Sequence, residues 1–326
     1  MRNGRMMAWS MGLLLAVASV GVAADPKLTF TNEKDAGPDF VVQGEYAGSD
    51  IEGHKWGVQV IALGDGKFDV VGYPGGLPGD GWKRGDATKT GKAETATDGT
   101  VNVKGDDWTA TIKDGTLTVV HGDKKVAEIK KTERKSPTLG AKPPEGAKVL
   151  FDGTTADNFK NGKLVEGNLL GPTNCESNAK FGDHSFHIEF RTPFMPGARG
   201  QQRGNSGVYL QSRYELQVLD SFGLDGKNNE CGGIYTVAVP NVNMCLPPLA
   251  WQTYDIDFTA AKYENGKKVE NARATIKHNG VVIHENLDLK DGTPGRAKEG
   301  PEALGLFLQD HGNPVAFRNI WVVEKK

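Results

Sequence analysis

The chain has 326 residues, 25% of them charged, a formal net charge of only -2, and 43 Gly, 16 Pro and 3 Cys. The near balance of charge gives no electrostatic case for nucleic acid, and the length suggests two domains. Long helical periodicities are missing, while short strand-like runs separated by Gly, Asp and Asn recur, so the chain reads as all-β, a sandwich or a barrel.

Residues 1–24 read as a secretory signal. Arg2 and Arg5 form a positive start, 11–22 is an apolar run, and Val22-Ala23-Ala24 offers small residues for cleavage before Asp25. The run is short for a membrane anchor. The mature protein is expected to be exported, periplasmic or extracellular, with no membrane span after cleavage. Export permits disulfides. Cys231 and Cys245 flank a segment with Gly232, Gly233, Pro240 and Asn241 and are expected to pair, with Cys175 free. Closing that loop would contribute about 3 kcal/mol. No His or Cys stands at zinc-finger spacing around them.

Residues 25–131 read as a small β domain, with strands expected at 41–46, 56–63, 67–73, 101–103, 108–113 and 116–121. Gly64-Asp65-Gly66 and Lys113-Asp114-Gly115 place Asp-Gly between apolar alternations, a hairpin signal. The stretch 74–97 reads as a long Gly- and Pro-rich loop. Gly75-Gly76 and Gly79 lack the Lys-Ser/Thr of a phosphate-binding loop, and a turn is the better reading. Trp56, Trp82 and Trp108 suit core packing better than a sugar platform. No motif assigns this domain a role; substrate binding and packing stay equally open. Residues 132–146, with a charge run and then Pro137, Pro143 and Pro144, read as a linker with extended stretches.

A second β domain is expected over 147–326. The run 184–191 alternates Phe186 and Ile188 with His187 and Glu189. A polar loop with Arg191, Arg199 and Arg203 leads to two strand-like runs, 207–211 and 214–219. In the second, Tyr214, Leu216 and Val218 point one way and Glu215 and Gln217 the other. The polar pair is expected on an open, concave face. A bulge near Val218 and Leu219 would turn Asp220 to join them. Further strands are expected at 233–239, 252–258, 304–309 and 316–323, and a hairpin joins 274–278 to 281–285 across Asn279-Gly280. Such regular short strands fit a two-sheet jelly roll.

The second domain resembles a known family. The marks are Leu150-Phe151-Asp152-Gly153, Asn205-Ser206-Gly207-Val208-Tyr209, Tyr214-Glu215-Leu216-Gln217-Val218-Leu219-Asp220 and Gly233-Ile234-Tyr235. Trp251-Gln252-Thr253-Tyr254, His278-Asn279-Gly280, Leu308-Gln309-Asp310-His311-Gly312 and Phe317-Arg318-Asn319-Ile320 complete the set. In this order they resemble the 3-keto-disaccharide hydrolases, described also as 3-keto-glucoside 1,2-lyases and 3-keto-2-hydroxyglucal hydratases. The resemblance implies a concanavalin-like jelly-roll sandwich and a 3-keto-glycoside substrate. It does not reach 25–131.

In the implied reaction a C3 ketone acidifies the C2 hydrogen, a base removes it, the C1 substituent leaves by β-elimination, and water adds to the glucal. Such a site needs a base, an enolate stabiliser and an acid. Here Glu215 is the candidate base, and His311 with Asp310 are candidates for acid and orienter. Gln217 would bind sugar hydroxyls, Arg318 would stabilise negative charge, and Asp220, Gln309 and Tyr209 are further substrate-binding candidates. Glu215, Gln217, Asp220, Asp310, His311 and Arg318 are expected to share one cleft. No cofactor is assigned; a divalent cation is left open, with no residues to place it. The pattern Glu215-x-Gln217-x-x-Asp220 is also similar to the Glu-x-Asp-x-x-Glu strand of jelly-roll retaining glycosidases, but it departs at two of three positions. A conventional glycoside hydrolase and a non-catalytic carbohydrate-binding protein are the alternatives.

Overall fold

A computed structural model describes Asp25 and residues 27–325; the expected signal at 1–24 lies outside the described residues. No helix among the described residues is long and apolar enough to cross a membrane.

After a six-residue helix, α1 (Gly37–Val42), eight antiparallel strands close into a barrel. They are β1 (Gly44–Ser49), β2 (Lys55–Gly64), β3 (Lys67–Pro74), β4 (Lys89–Thr95), β5 (Val101–Gly105), β6 (Thr109–Lys113), β7 (Thr116–His121) and β8 (Lys124–Thr132). Each pairs with the next, and β1 with β8 closes the ring, which leaves no free edge. The two Asp-Gly turns form as expected, with positive φ at Asp65 and Gly66 and at Asp114 and Gly115. Three expectations fail here. The start of the expected strand 41–46 is helical, because Pro38 opens a helical turn. The second half of the expected loop 74–97 is β4, and a strand absent from the sequence reading, β8, completes the barrel.

The sandwich follows. Its first strands are β9 (Lys148–Phe151), β10 (Phe159–Lys160), β11 (Leu164–Val165), β12 (Leu169–Leu170), β13 (Cys175–Ser177), β14 (His184–Arg191), β15 (Asn205–Leu210) and β16 (Tyr214–Leu219). Then come β17 (Gln252–Thr259), a small hairpin of β18 (Lys262–Glu264) and β19 (Lys267–Glu270), β20 (Ala272–His278), β21 (Val281–Leu289), β22 (Phe307–Leu308) and β23 (Ala316–Glu324). A five-stranded sheet runs β10-β13-β22-β15-β16, and an eight-stranded sheet runs β11-β12-β23-β14-β17-β20-β21, with β9 on β23. Between them lies one core, including Phe186, Ile188, Val208, Leu216, Val218, Ile256 and Phe317. The Asn279-Gly280 hairpin is as expected. The expected strand 233–239 is instead a set of turns with an isolated bridge of Ile234 to Leu216.

The segment 132–146 is bound along the outer face of the eight-stranded sheet. Ser136 and Thr138 hydrogen-bond Thr253, Thr138 donates to Asp255, and Gly140 N–H donates to Glu189. Barrel and sandwich also meet directly, because Phe194 and Leu249 pack into the barrel's core.

All three cysteines are free and buried, so the expected Cys231–Cys245 disulfide is absent. The two thiols are neighbours. Each has another partner: Cys231 Sγ lies 3.2 Å from Tyr254 Oη, and Cys245 Sγ donates to the carbonyls of Leu219 and Leu246 at 3.5 Å. Burial pushes the Cys245 thiol up, which suppresses the thiolate that oxidation requires. Alkylation should therefore label no cysteine in the native protein and all three after denaturation without reductant; a cross-linked peptide pair joining Cys231 and Cys245 would contradict the free thiols.

Candidate functional site

The outer face of the five-stranded sheet carries Glu215. On β16 the core takes Tyr214, Leu216 and Val218, so Glu215 and Gln217 project from the opposite face. The register then makes a row, with Glu215 beside Tyr209, Tyr209 beside Phe307, and Phe307 beside Glu176. The expectation of an open face is corrected. Glu215 is 3% exposed and Gln217 2%, because loops cover them. Thr293 Oγ1 accepts from the Glu215 N–H at 2.9 Å, and Tyr235 N–H donates to the Glu215 carbonyl at 3.0 Å. Gln217 Nε2 reaches Asn229 O at 3.3 Å and Gln201 Oε1 at 3.4 Å.

Tyr209 Oη donates to Glu215 Oε2 at 2.7 Å, and Gln309 Nε2 donates to Tyr209 Oη at 3.2 Å. The other carboxylate oxygen, Oε1, lies over Gly207, where an added Cβ would stand 2.5 Å from it. Gly207 thus keeps the space that this oxygen occupies. Burial raises the Glu215 carboxyl to about 7, with the Tyr209 hydrogen bond opposing. Burial, then the neighbouring Glu215 charge, pushes the Tyr209 hydroxyl up, so it stays a donor. Beside the pair, Gln217 Oε1 and Asn205 Oδ1 are buried acceptors without a partner, and a hydroxyl-bearing ligand would supply the missing donors.

The same face carries a cation that the sequence reading missed. Arg296 pairs with Glu176 at 2.9 Å, and its Cζ sits 3.6 Å from the Phe307 ring centroid. It comes from the loop after β21, and nothing in that loop's composition ties it to Glu176, a strand residue 120 positions earlier.

The six residues expected in one cleft do not gather. Asp220 is buried against Arg203, Oδ2 to Nη1 at 3.1 Å, and the β15–β16 ladder runs without the bulge that would have turned it toward Glu215. Arg318 lies on β23 in the other sheet and faces outward there. Its Nε donates to Glu189 Oε2 at 2.7 Å, and its Cζ sits 3.9 Å over Trp251. Burial works against Glu189 ionising, yet hydrogen bonds from His187, Asn319, Arg318 and the Gly140 N–H bring its carboxyl down to about 2. Arg318 therefore holds a structural network. Asp310 and His311 follow Gln309 in an exposed loop, where Asp310 N–H donates to Asn174 and Asp310 Oδ1 accepts from Gly312. Of the eight expected catalytic and substrate-binding residues, the structure brings together Tyr209, Glu215, Gln217 and Gln309. No group of three or more His, Cys, Asp and Glu among the described residues is placed to hold a metal.

Among curated proteins, none matches the chain. A crystal structure of a provisionally named glycosyl hydrolase from Parabacteroides distasonis ATCC 8503 aligns with 56% of this chain and 85% of that one, at 29% identity and a TM-score of 0.50. A second provisionally named glycosyl hydrolase from the same organism aligns with 56% of this chain and 95% of its own, at 17% identity and a TM-score of 0.39. Residues 146–323, more than half of the chain and the whole of the sandwich except its last strand residue, match the 3-keto-alpha-glucoside-1,2-lyase-like domain, and the chain belongs to that family.

Proposed function

We propose that the protein cleaves 3-keto-glycosides, with Glu215 as the base that takes the C2 proton. The observation that carries this reading is the Glu215 carboxyl, buried on the sheet's outer face, raised to about 7 and oriented by Tyr209 at 2.7 Å. A base poised near neutral pH is matched to abstracting a proton of a ketone-activated carbon. Oε1 accepts the proton while Oε2 stays fixed by Tyr209. Gln217, Asn205 and Gln201 present amides to the sugar hydroxyls. Arg296, rather than Arg318, is the cation on this face; Glu176 holds it over Phe307, two strands from Glu215, and from there it adds positive potential for the developing enolate. Elimination at C1 releases the aglycone, which takes up the proton that Glu215 removed from C2, and water adds to the 3-keto-2-hydroxyglucal. With the expected leader at 1–24, the reaction belongs outside the cytoplasm.

The conventional hydrolase reading fits less well. A retaining mechanism places two carboxyl groups about 5 Å apart and an inverting one at most about 9.5 Å apart. On this face the backbones of Glu215 and Glu176 stand three strand spacings apart, about 14 Å at about 4.8 Å each. Glu176 is also engaged by Arg296.

The test pairs a 3-keto-glucoside with its unoxidised parent. Turnover is expected for the oxidised sugar alone, and deuterium at C2 should slow it. Equal turnover of the parent glycoside, or no isotope effect on single-turnover elimination, would return the site to ordinary hydrolysis.

A further inference from the structure

The barrel holds a cavity separate from the Glu215 face and independent of how that face is read. Its end toward the sandwich is plugged: Phe40, Phe194 and Leu249 join the core cluster there, and Arg203 hydrogen-bonds Ala62 O near the end of β2. Trp56 stands six residues back along β2, about 20 Å away at about 3.3 Å per residue, and there the barrel is open. A cavity of about 270 Å³ enters it, walled by Val58, Val70, Leu117, Val119 and Ile129 and by two indoles, Trp56 and Trp108.

The inward positions of the neighbouring strands explain the space. On β3, β4 and β5 the residues facing this end are Gly72, Gly91 and Gly105, and Gly91 pairs with Gly105 across the ladder. A Cβ on Gly105 would stand 2.2 Å from Trp108 Cε2, and one on Gly91 would stand 3.0 Å from Trp108 Cη2. The Trp108 ring therefore lies on bare backbone. A larger residue at either glycine would displace it, and the ring is left lining the cavity. Polar groups occur only around the opening. Asp50 accepts from Trp56 Nε1 at 3.1 Å, Lys89 faces Asp107 at 3.7 Å, and His121 stands exposed at the end of β7.

We propose that this end of the barrel binds a flat, neutral aromatic molecule carrying a hydroxyl, of phenol to naphthol size. An apolar cavity of about 150 Å³ already accepts benzene, and this one is larger. Indole faces favour a stacked ring. The walls offer no partner to the ring hydroxyls of a sugar, which would be buried unpaired. The rim has two carboxylates to one ammonium, so it accepts a hydroxyl's hydrogen bond and repels a ligand carboxylate.

The test titrates the mature full-length protein with 2-naphthol, read by tryptophan fluorescence and calorimetry. Saturable binding at one site per chain is expected. Trp108→Ala should weaken it at least tenfold, and Val119→Trp, which fills the cavity, should abolish it. 2-Naphthoate and methyl glucoside should each bind at least tenfold more weakly than 2-naphthol. Should Val119→Trp fail the circular-dichroism check of its fold, Val58→Phe takes its place. Absence of saturable binding, undiminished binding in the filled variant, or equal affinity for 2-naphthoate or the glucoside would overturn the proposal.

Discussion

Glu215→Gln should lower kcat on a 3-keto-glucoside by about 10²- to 10⁴-fold, the range that a positioned general base supplies, and should make the protein more stable at alkaline pH. Both effects come from one carboxyl. Gln keeps the shape and can still accept from Tyr209, but it cannot take a proton. In the wild type, burial raises Glu215 from 4.5 to about 7 in the folded state. A carboxyl raised on folding stabilises the fold while protonated. That stabilisation is complete below about pH 4.5 and is lost as pH climbs through about 7. The shift corresponds to about 3 kcal/mol. The stability gap between Glu215→Gln and the wild type should widen by that amount between pH 4.5 and 8, measured by urea unfolding at each pH. Wild-type kcat/KM should rise over the same interval, since the base must be ionised to act. Turnover by Glu215→Gln within a few-fold of wild type would remove Glu215 as the base. A stability gap independent of pH would show that the carboxyl is not raised by burial.

How far the sequence carries can be seen in these same residues. Period-2 alternation placed Leu216 and Val218 inward and Glu215 outward, because that assignment needs only the strand itself. The exposure of Glu215 was not legible. It depends on Tyr235 and Thr293, which arrive from loops about 20 and about 80 residues later. The sequence placed Arg318 in the Glu215 cleft, but it projects from the other sheet. That depends on β23 pairing with β14, far away in sequence. In the barrel, β4 was hidden because its inward residues at the open end are Lys89 and Gly91, and only Ala93 is buried. The glycine that leaves room for an indole also erases the apolar signal. Similarly, β8 reads as a charge run, with Ala127 and Ile129 its buried residues.

Arg203→Ala should destabilise the protein by about 3–5 kcal/mol, the usual cost of leaving one member of a buried ion pair alone. Arg203 is 6% exposed and Asp220 1%. The guanidinium makes three links: Nη1 to Asp220 Oδ2 at 3.1 Å, Nε to Ala198 O at 3.1 Å, and Nη2 to Ala62 O at 2.8 Å on the barrel. Removing it strands a carboxylate whose burial already pushes its pKa up, and it cuts a tie between barrel and sandwich. At about 2–4 °C per kcal/mol for a chain of this size, the melting temperature should fall by about 6–20 °C. Asp220→Asn keeps the volume and one acceptor and should cost less, about 1–3 kcal/mol. The two variants also decide what Asp220 does. If it serves the fold, as its pairing indicates, the folded fraction of each variant keeps kcat and KM within about twofold of wild type. A stable Asp220→Asn protein with kcat down a hundredfold would put Asp220 back in the sugar site, and a fully stable Arg203→Ala would show that the buried pair contributes nothing to joining the two halves.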